Sequence, residues 1–279
     1  NAAAGSLGFI TNGAMSVDAD VRTLSSGDIT VASARPLTLS NAASFTSAGS
    51  ATFTCMSITS AVASVAAVKA VSVTGAWTAS GTISVTSHDA GVTLNSDLTT
   101  LHSAANSIHL NSSSPLGTLT LDGTRVITSS GVLNVYAYAV VSNATKLNVT
   151  GPTSLRVTNT WTATQGNFEL NGGATVLLDA HLRTVTEGNV TITSVGNVTI
   201  TDAKTIDSAG TTTVTSESIV SGAATWTSAH AIVITAPWWS NGHVSVTSVN
   251  NGVRLGSDIT ATGVSSNLLI ASNASVGKF

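Results

Sequence analysis

From Gly188 to Gly210 the chain reads GNVTITSVGNVTITDAKTIDSAG, and apolar and polar residues alternate in three short runs. These are Val190-Thr191-Ile192-Thr193, Val198-Thr199-Ile200-Thr201 and Thr205-Ile206-Asp207, with Gly, Asn or Ser between them. Alternation over a handful of residues marks a half-buried strand, because successive side chains point to opposite faces. Val190, Ile192, Val198, Ile200 and Ile206 are therefore predicted to point inward and the intervening threonines outward. The same beat runs through 27–49, GDITVASARPLTLSNAASFTSAG. It recurs at 119–121, 132–135, 147–149, 212–214, 232–234, 244–246 and 253–255. Three strands in about 20–23 residues predict one coil of a single-stranded parallel β-helix, an all-β solenoid of on the order of 13 coils.

A longer repeat overlies this beat. Residues 70–106 return as 231–267, with Trp77 over Trp238, Gly81 over Gly242, Gly91 over Gly252 and Asp97 over Asp258. The offset of 161 extends to 1–118 over 162–279, with 119–161 unpaired. It reads without a gap, which predicts coils of fixed length and one continuous solenoid over 1–279.

Two other architectures contain strands of this kind. A doubly wound α/β fold needs helical crossovers of a dozen or more residues, and no segment reads as one. A sandwich of hairpins would use turns such as Asn12-Gly13, Asp122-Gly123, Asn171-Gly172, Asn241-Gly242 and Asn251-Gly252, and it stays the rival reading.

The blocks 27–49 and 188–210 resemble coils of the filamentous-haemagglutinin-type exoproteins, secreted bacterial β-helical adhesins. The secretion domain of that family, with its NPNG-like motif, does not occur in this sequence. The resemblance implies a secreted, elongated, adhesive or fibre-forming protein at the cell surface or outside the cell.

Composition narrows the function classes. Charged residues are 8 % of the chain, hydrophobic ones 42 %, Ser and Thr roughly 30 %, and the net charge is −3. Such a chain has the apolar content to fold and carries no basic footprint for nucleic acid or an anionic membrane surface. No apolar run reaches the length of a membrane helix. Cys55 aligns with Ser216 and reads as a small packed residue. With neither an initiator Met nor a signal peptide, the chain reads as a mature or excised part of a precursor.

Candidate chemistry is sparse. Asp18, Asp20 and Arg22 align with Asp179, His181 and Arg183, and paired carboxylates on a β-helix flank are the equipment of a polysaccharide-cleaving enzyme. Because Asp20 becomes His181, the pair is not repeated, and local ion pairing is the plainer expectation. His88, His102, His109, His181, His230 and His243 are scattered without metal-ligand spacing. No nucleophile elbow, phosphate loop or dinucleotide fingerprint occurs. The reading is thus no enzyme, no metal and no cofactor. Thr-x-Thr pairs at 158/160, 184/186, 191/193, 199/201 and 213/215 suggest an ice-binding face, although Thr30-Val31-Ala32 interrupts the pattern in the other copy. Asn111, Asn143, Asn148, Asn189, Asn197 and Asn273 head glycosylation sequons, at a frequency chance alone explains. Of the five tryptophans, Trp77, Trp161, Trp226, Trp238 and Trp239, the last faces Thr78 in the other copy and is the expected exposed one, a contact for sugar or a neighbouring molecule.

Neither 1–10 nor 267–279 reads as a charged cap, and apolar residues run close to both ends: Leu7, Phe9, Ile10, Leu268, Leu269, Ile270 and Phe279. The leading expectation is a structural subunit that stacks head to tail on copies of itself into an extracellular fibre. A monomeric adhesin or carbohydrate-binding stalk is the alternative, ahead of the polysaccharide-active enzyme and the ice-binding protein.

Overall fold

A computed structural model describes residues 1–273, apart from His102, Leu116, Ser265 and the side chain of Asn41. Strands and corners account for the described residues; there is no helix among them, hence none long and apolar enough to cross a membrane. Parallel strands stack in about 12 turns as a β-solenoid. The three runs read from 188–210 are the strands Val190–Ser194, Asn197–Ile200 and Lys204–Ser208, and their five predicted inward residues are buried. Every described strand pairing is parallel, so the hairpin alternative falls: Asn171-Gly172 lies inside the strand Phe168–Gly172 instead of turning between two.

The chain divides into two compact units, Asn1–Val141 and Ser142–Phe279. In the first, Leu7 pairs with Ile29, Ile29 with Ala51 and Ala51 with Val71, the apolar side chains forming a column through the core. Phe45 and Phe53 meet edge to face there, 5.0 Å apart. In the second, Phe168 pairs with Val190, Val190 with Thr212 and Thr212 with Ile232. Steps between paired rungs run from 19 residues, Ile58 to Trp77, to 29, Leu98 to Ile127. The steps from Leu98 to Ile127, from Val92 to Leu119, and from Ile83 to Ile108 to Leu133 all exceed the expected coil length.

Buried serines close the coils. Ser47 Oγ donates to Gly27 O of the preceding rung at 2.9 Å and accepts from Gly49 N at 3.2 Å. Ser208 does the same with Gly188 O at 3.0 Å and Gly210 N at 3.2 Å. Ser87 and Ser248 likewise bond to Lys69 O and His230 O and accept from Gly91 N and Gly252 N. A hydroxyl that donates and accepts satisfies two backbone groups where the ladder bends away, so small polar residues fill positions that alternation alone would assign to hydrophobes.

Candidate functional site: uncovered rungs and an outward face

The internal duplication allows a given position to be compared when covered and when uncovered. Phe168 and Leu170 lie beneath Thr145 and Leu147 of the strand before them and are fully buried. Their counterparts 161 residues earlier, Leu7 and Phe9, are half-exposed. Among the described residues the strand Leu7–Thr11 pairs only with Ile29–Ser33. Ile10, grouped with them as an end contact, instead points out of the side wall, 77 % exposed, as alternation along the strand requires.

The late rungs repeat the situation. Val244 pairs with Leu268, whereas its counterpart Ile83 pairs with Ile108. The first copy therefore holds one residue more between Leu101 and Ser103 than the second holds between Thr262 and Gly263, and the constant offset ends there. The matching turn bonds, Asn106 N to Ser103 O and Ser266 N to Gly263 O, follow the shifted count. Leu268 and Ile270 correspond to Ile108 and Leu110, which are buried under Leu133 and Val135. Leu268 is 44 % exposed and Ile270 half-buried, while Leu269 faces sideways. Nearby, Ala231, Val233, Val253 and Leu255 line an apolar depression of about 390 Å3. Phe279 and His102 lie outside the described residues.

The candidate acids Asp20 and Asp179 make local bonds. Asp20 Oδ1 accepts from Ser44 N at 3.0 Å. Asp179 accepts from Thr201 Oγ1 at 2.7 Å and from Lys204 Nζ at 2.9 Å, and these bonds, Thr201's first, hold its carboxyl below the ordinary range. Glu169 is lowered in the same direction by Lys146, 2.6 Å away, and then by Asn171. Arg183 and Asp207 form a 3.6 Å exposed pair. His109 bonds Asn134 and His181 bonds Thr205; among the described residues no group of His, Cys, Asp and Glu could hold a metal ion. Cys55 continues a small-residue column behind Thr11 and Ser33, and burial pushes its thiol up.

Three sequon asparagines serve the rungs. Asn189 Oδ1 accepts from Thr211 N at 2.7 Å, as Asp28 Oδ1 accepts from Ser50 N in the first copy. Asn143 and Asn197 accept from Thr164 and Ser218. Asn111 and Asn148 lie half-buried in strands, and Asn273 is exposed.

Four tryptophans are buried, and three donate Nε1–H to a serine of a preceding rung: Trp77 to Ser60, Trp161 to Ser142 and Trp238 to Ser221, at 2.8–3.0 Å. Trp226 stacks on Trp238 at 4.4 Å. Trp239 is the exposed one, as expected. Outward threonines were expected, and in the first copy they line up from rung to rung in a column that the Thr-x-Thr spacing did not single out. Ser16, Thr38, Thr59, Thr78, Thr99 and Thr128 stand in one outward column, each in register with the next. No protein-family model, curated protein or solved structure matches the chain.

Proposed function

We propose that this chain is a structural subunit of an extracellular fibre or surface appendage, assembled by stacking an uncovered rung of one molecule on that of another. The observation that carries the reading is the contrast at equivalent positions: Phe168 and Leu170 are buried by the rung before them, while Leu7 and Phe9 are half-exposed. A second molecule supplies what such a rung lacks, a parallel strand for the open backbone edge and apolar side chains for the core column. Leu268 and Ile270 offer both at the other end. The partner in this reading is a further copy, and nucleic acid and membrane have no part in it.

The test is sedimentation velocity with negative-stain microscopy of the purified chain over a hundredfold concentration range. Filaments or concentration-dependent oligomers are expected, and Phe9→Lys, which puts a charge into the joint, should move their onset to at least tenfold higher concentration. Monodisperse single molecules throughout, or unaltered assembly by Phe9→Lys, would rule the reading out.

A further inference from the structure

Trp239 is 46 % exposed in a chain whose other tryptophans are buried. It sits on the strand Trp238–Ser240, in register with Val220 on one side and Thr260 on the other, and Thr199 follows next to Val220. Just past the ends of these strands, at the corner, lie Thr201, Gly222, Asn241 and Thr262. A depression of about 410 Å3 opens beside Val220, lined also by Thr199, Asp202, Gly222 and Asn241. Asp202 itself fills the place of a side chain at Gly222, since a Cβ there would come within 2.7 Å of Asp202 Oδ1. That oxygen is fixed by Ala203 N at 3.0 Å and Ala223 N at 2.7 Å. A carboxylate so held keeps further acceptor capacity, and the Asn241 side chain offers both donors and an acceptor.

We propose that this face binds a neutral pyranose unit of an oligosaccharide, with the C–H face of the ring over the Trp239 indole and Val220 and its hydroxyls on Asn241 and Asp202. An exposed indole beside an amide and a carboxylate matches a ligand that is apolar on one face and hydroxylated at its rim. The Asp202 carboxylate disfavours an acidic sugar. The apolar surface stops at Val220 and Trp239, with Thr199 and Thr260 on either side, which is too small for a protein partner. The first copy gives an internal contrast: Thr59, Thr78, Ser80 and Ala61 stand at these positions, without the indole ring or the amide. The proposal goes beyond end-to-end stacking and does not depend on it.

Because four tryptophans are buried, acrylamide quenching of the intrinsic fluorescence reports chiefly on Trp239. Titration with cellohexaose, mannohexaose and chitohexaose should show, for at least one of them, a saturable fall in quenching of about twofold. By calorimetry, Trp239→Thr, which installs the first-copy residue, should weaken that ligand at least about tenfold. The circular dichroism of the variant should match the parent, and Asn241→Ala should weaken binding about threefold. No saturable change with any of the three sugars, or undiminished binding by a folded Trp239→Thr variant, would overturn the site. Neither result bears on assembly, which sedimentation reads separately.

Discussion

The two copies of the repeat agree inside and differ outside. Thr23 Oγ1 donates to Gly27 O at 2.6 Å and accepts from Ala48 N at 2.9 Å, and Thr184 repeats both bonds with Gly188 and Ala209 at the same distances. Trp77 and Trp238 reach the equivalent serines, Ser60 and Ser221. On the outward face, by contrast, Thr38, Thr59, Thr78 and Thr99 become Thr199, Val220, Trp239 and Thr260. Corners differ as well. The first copy runs as one strand from Ala51 to Ala67, through Cys55-Met56 and Ala61-Val62. The second breaks the same stretch into Thr212–Thr215, Ser218–Ser221 and Ala224–Ser228, with Glu217 and Gly222 at the breaks. Rung spacing is thus set by the core columns and by the serine and threonine bonds to the previous rung. The outer positions are free to diverge because the ladder does not depend on them.

The tryptophans test the shared interior most severely. Trp77→Ala and Trp238→Ala each remove a fully buried indole and leave a serine hydroxyl without its donor. Each should cost about 3–5 kcal/mol in urea unfolding followed by circular dichroism. Trp238→Ala should be the worse, since it also strips the stacked face of Trp226. A loss below about 1 kcal/mol in either would break the equivalence. Next come Ser47→Ala and Ser208→Ala, each of which removes the hydroxyl's bonds to a carbonyl and an amide that stay joined to one another, Gly49 N to Gly27 O and Gly210 N to Gly188 O. About 1–2 kcal/mol is expected for each from the lost hydrogen bonds, with the two values close to one another. Clearly unequal losses would mean that the corner geometry is shared without the energetics.

Most of the fold could be read from the chain, because period-two alternation and the repeat both constrain it. Val190, Ile192, Val198, Ile200 and Ile206 needed only the alternation to be placed inside. The buried serines could not be placed that way: Ser47 and Ser208 occupy core positions because corner backbone groups need a partner, a demand that hydropathy does not carry. Their signal was present in the repeated Ser-Ala-Gly, which reads as a turn until the rung beneath is known. The extra residue between Leu101 and Ser103 was hidden for a related reason, since neighbouring apolar residues let Ile108 align with Leu269 although pairing matches it to Leu268. Of the candidate site residues, Leu7, Phe9, Leu268 and Ile270 share the inward direction, and Trp239 was legible from Thr78. Ile10 and Leu269 were not, because proximity to an end says nothing about which way a strand residue points.

Gly222 sharpens the difference between the corners. Gly222→Ala gives the second copy the residue of the first, Ala61, yet the new Cβ meets Asp202 Oδ1 at 2.7 Å and Asp202 Cβ at 2.9 Å. About 1–3 kcal/mol should be lost, the usual cost of overpacking. In the double variant Gly222→Ala/Asp202→Ala the clash with the carboxylate is gone, so the combined loss should fall short of the sum of the single ones. Strict additivity would show that the carboxylate, held by Ala203 N and Ala223 N, does not set the shape of this corner.

The smallest expected effect is acid sensitivity, and it belongs to the second copy. Glu169 is paired with Lys146 where the first copy has Gly8, and Lys204 is paired with Asp179 where the first copy has Ala43. Both carboxyls titrate lower in the folded chain than in the unfolded one. Their contribution is therefore fully present above the ordinary carboxylate pKa near 4 and is lost as pH falls through their lower folded values. The Glu169 and Asp179 side chains are 40 % and 39 % exposed, so solvent screening keeps each contribution below about 1 kcal/mol. Thermal unfolding of the parent should soften between pH 5 and about pH 2, and Glu169→Gln with Asp179→Asn should flatten part of that slope while lowering stability slightly at pH 7. An unchanged slope in the double variant would place the acid response elsewhere. The two ion pairs would then be ornaments of the outer wall, as variable as the threonines and tryptophan beside them, and not part of what keeps the second copy folded.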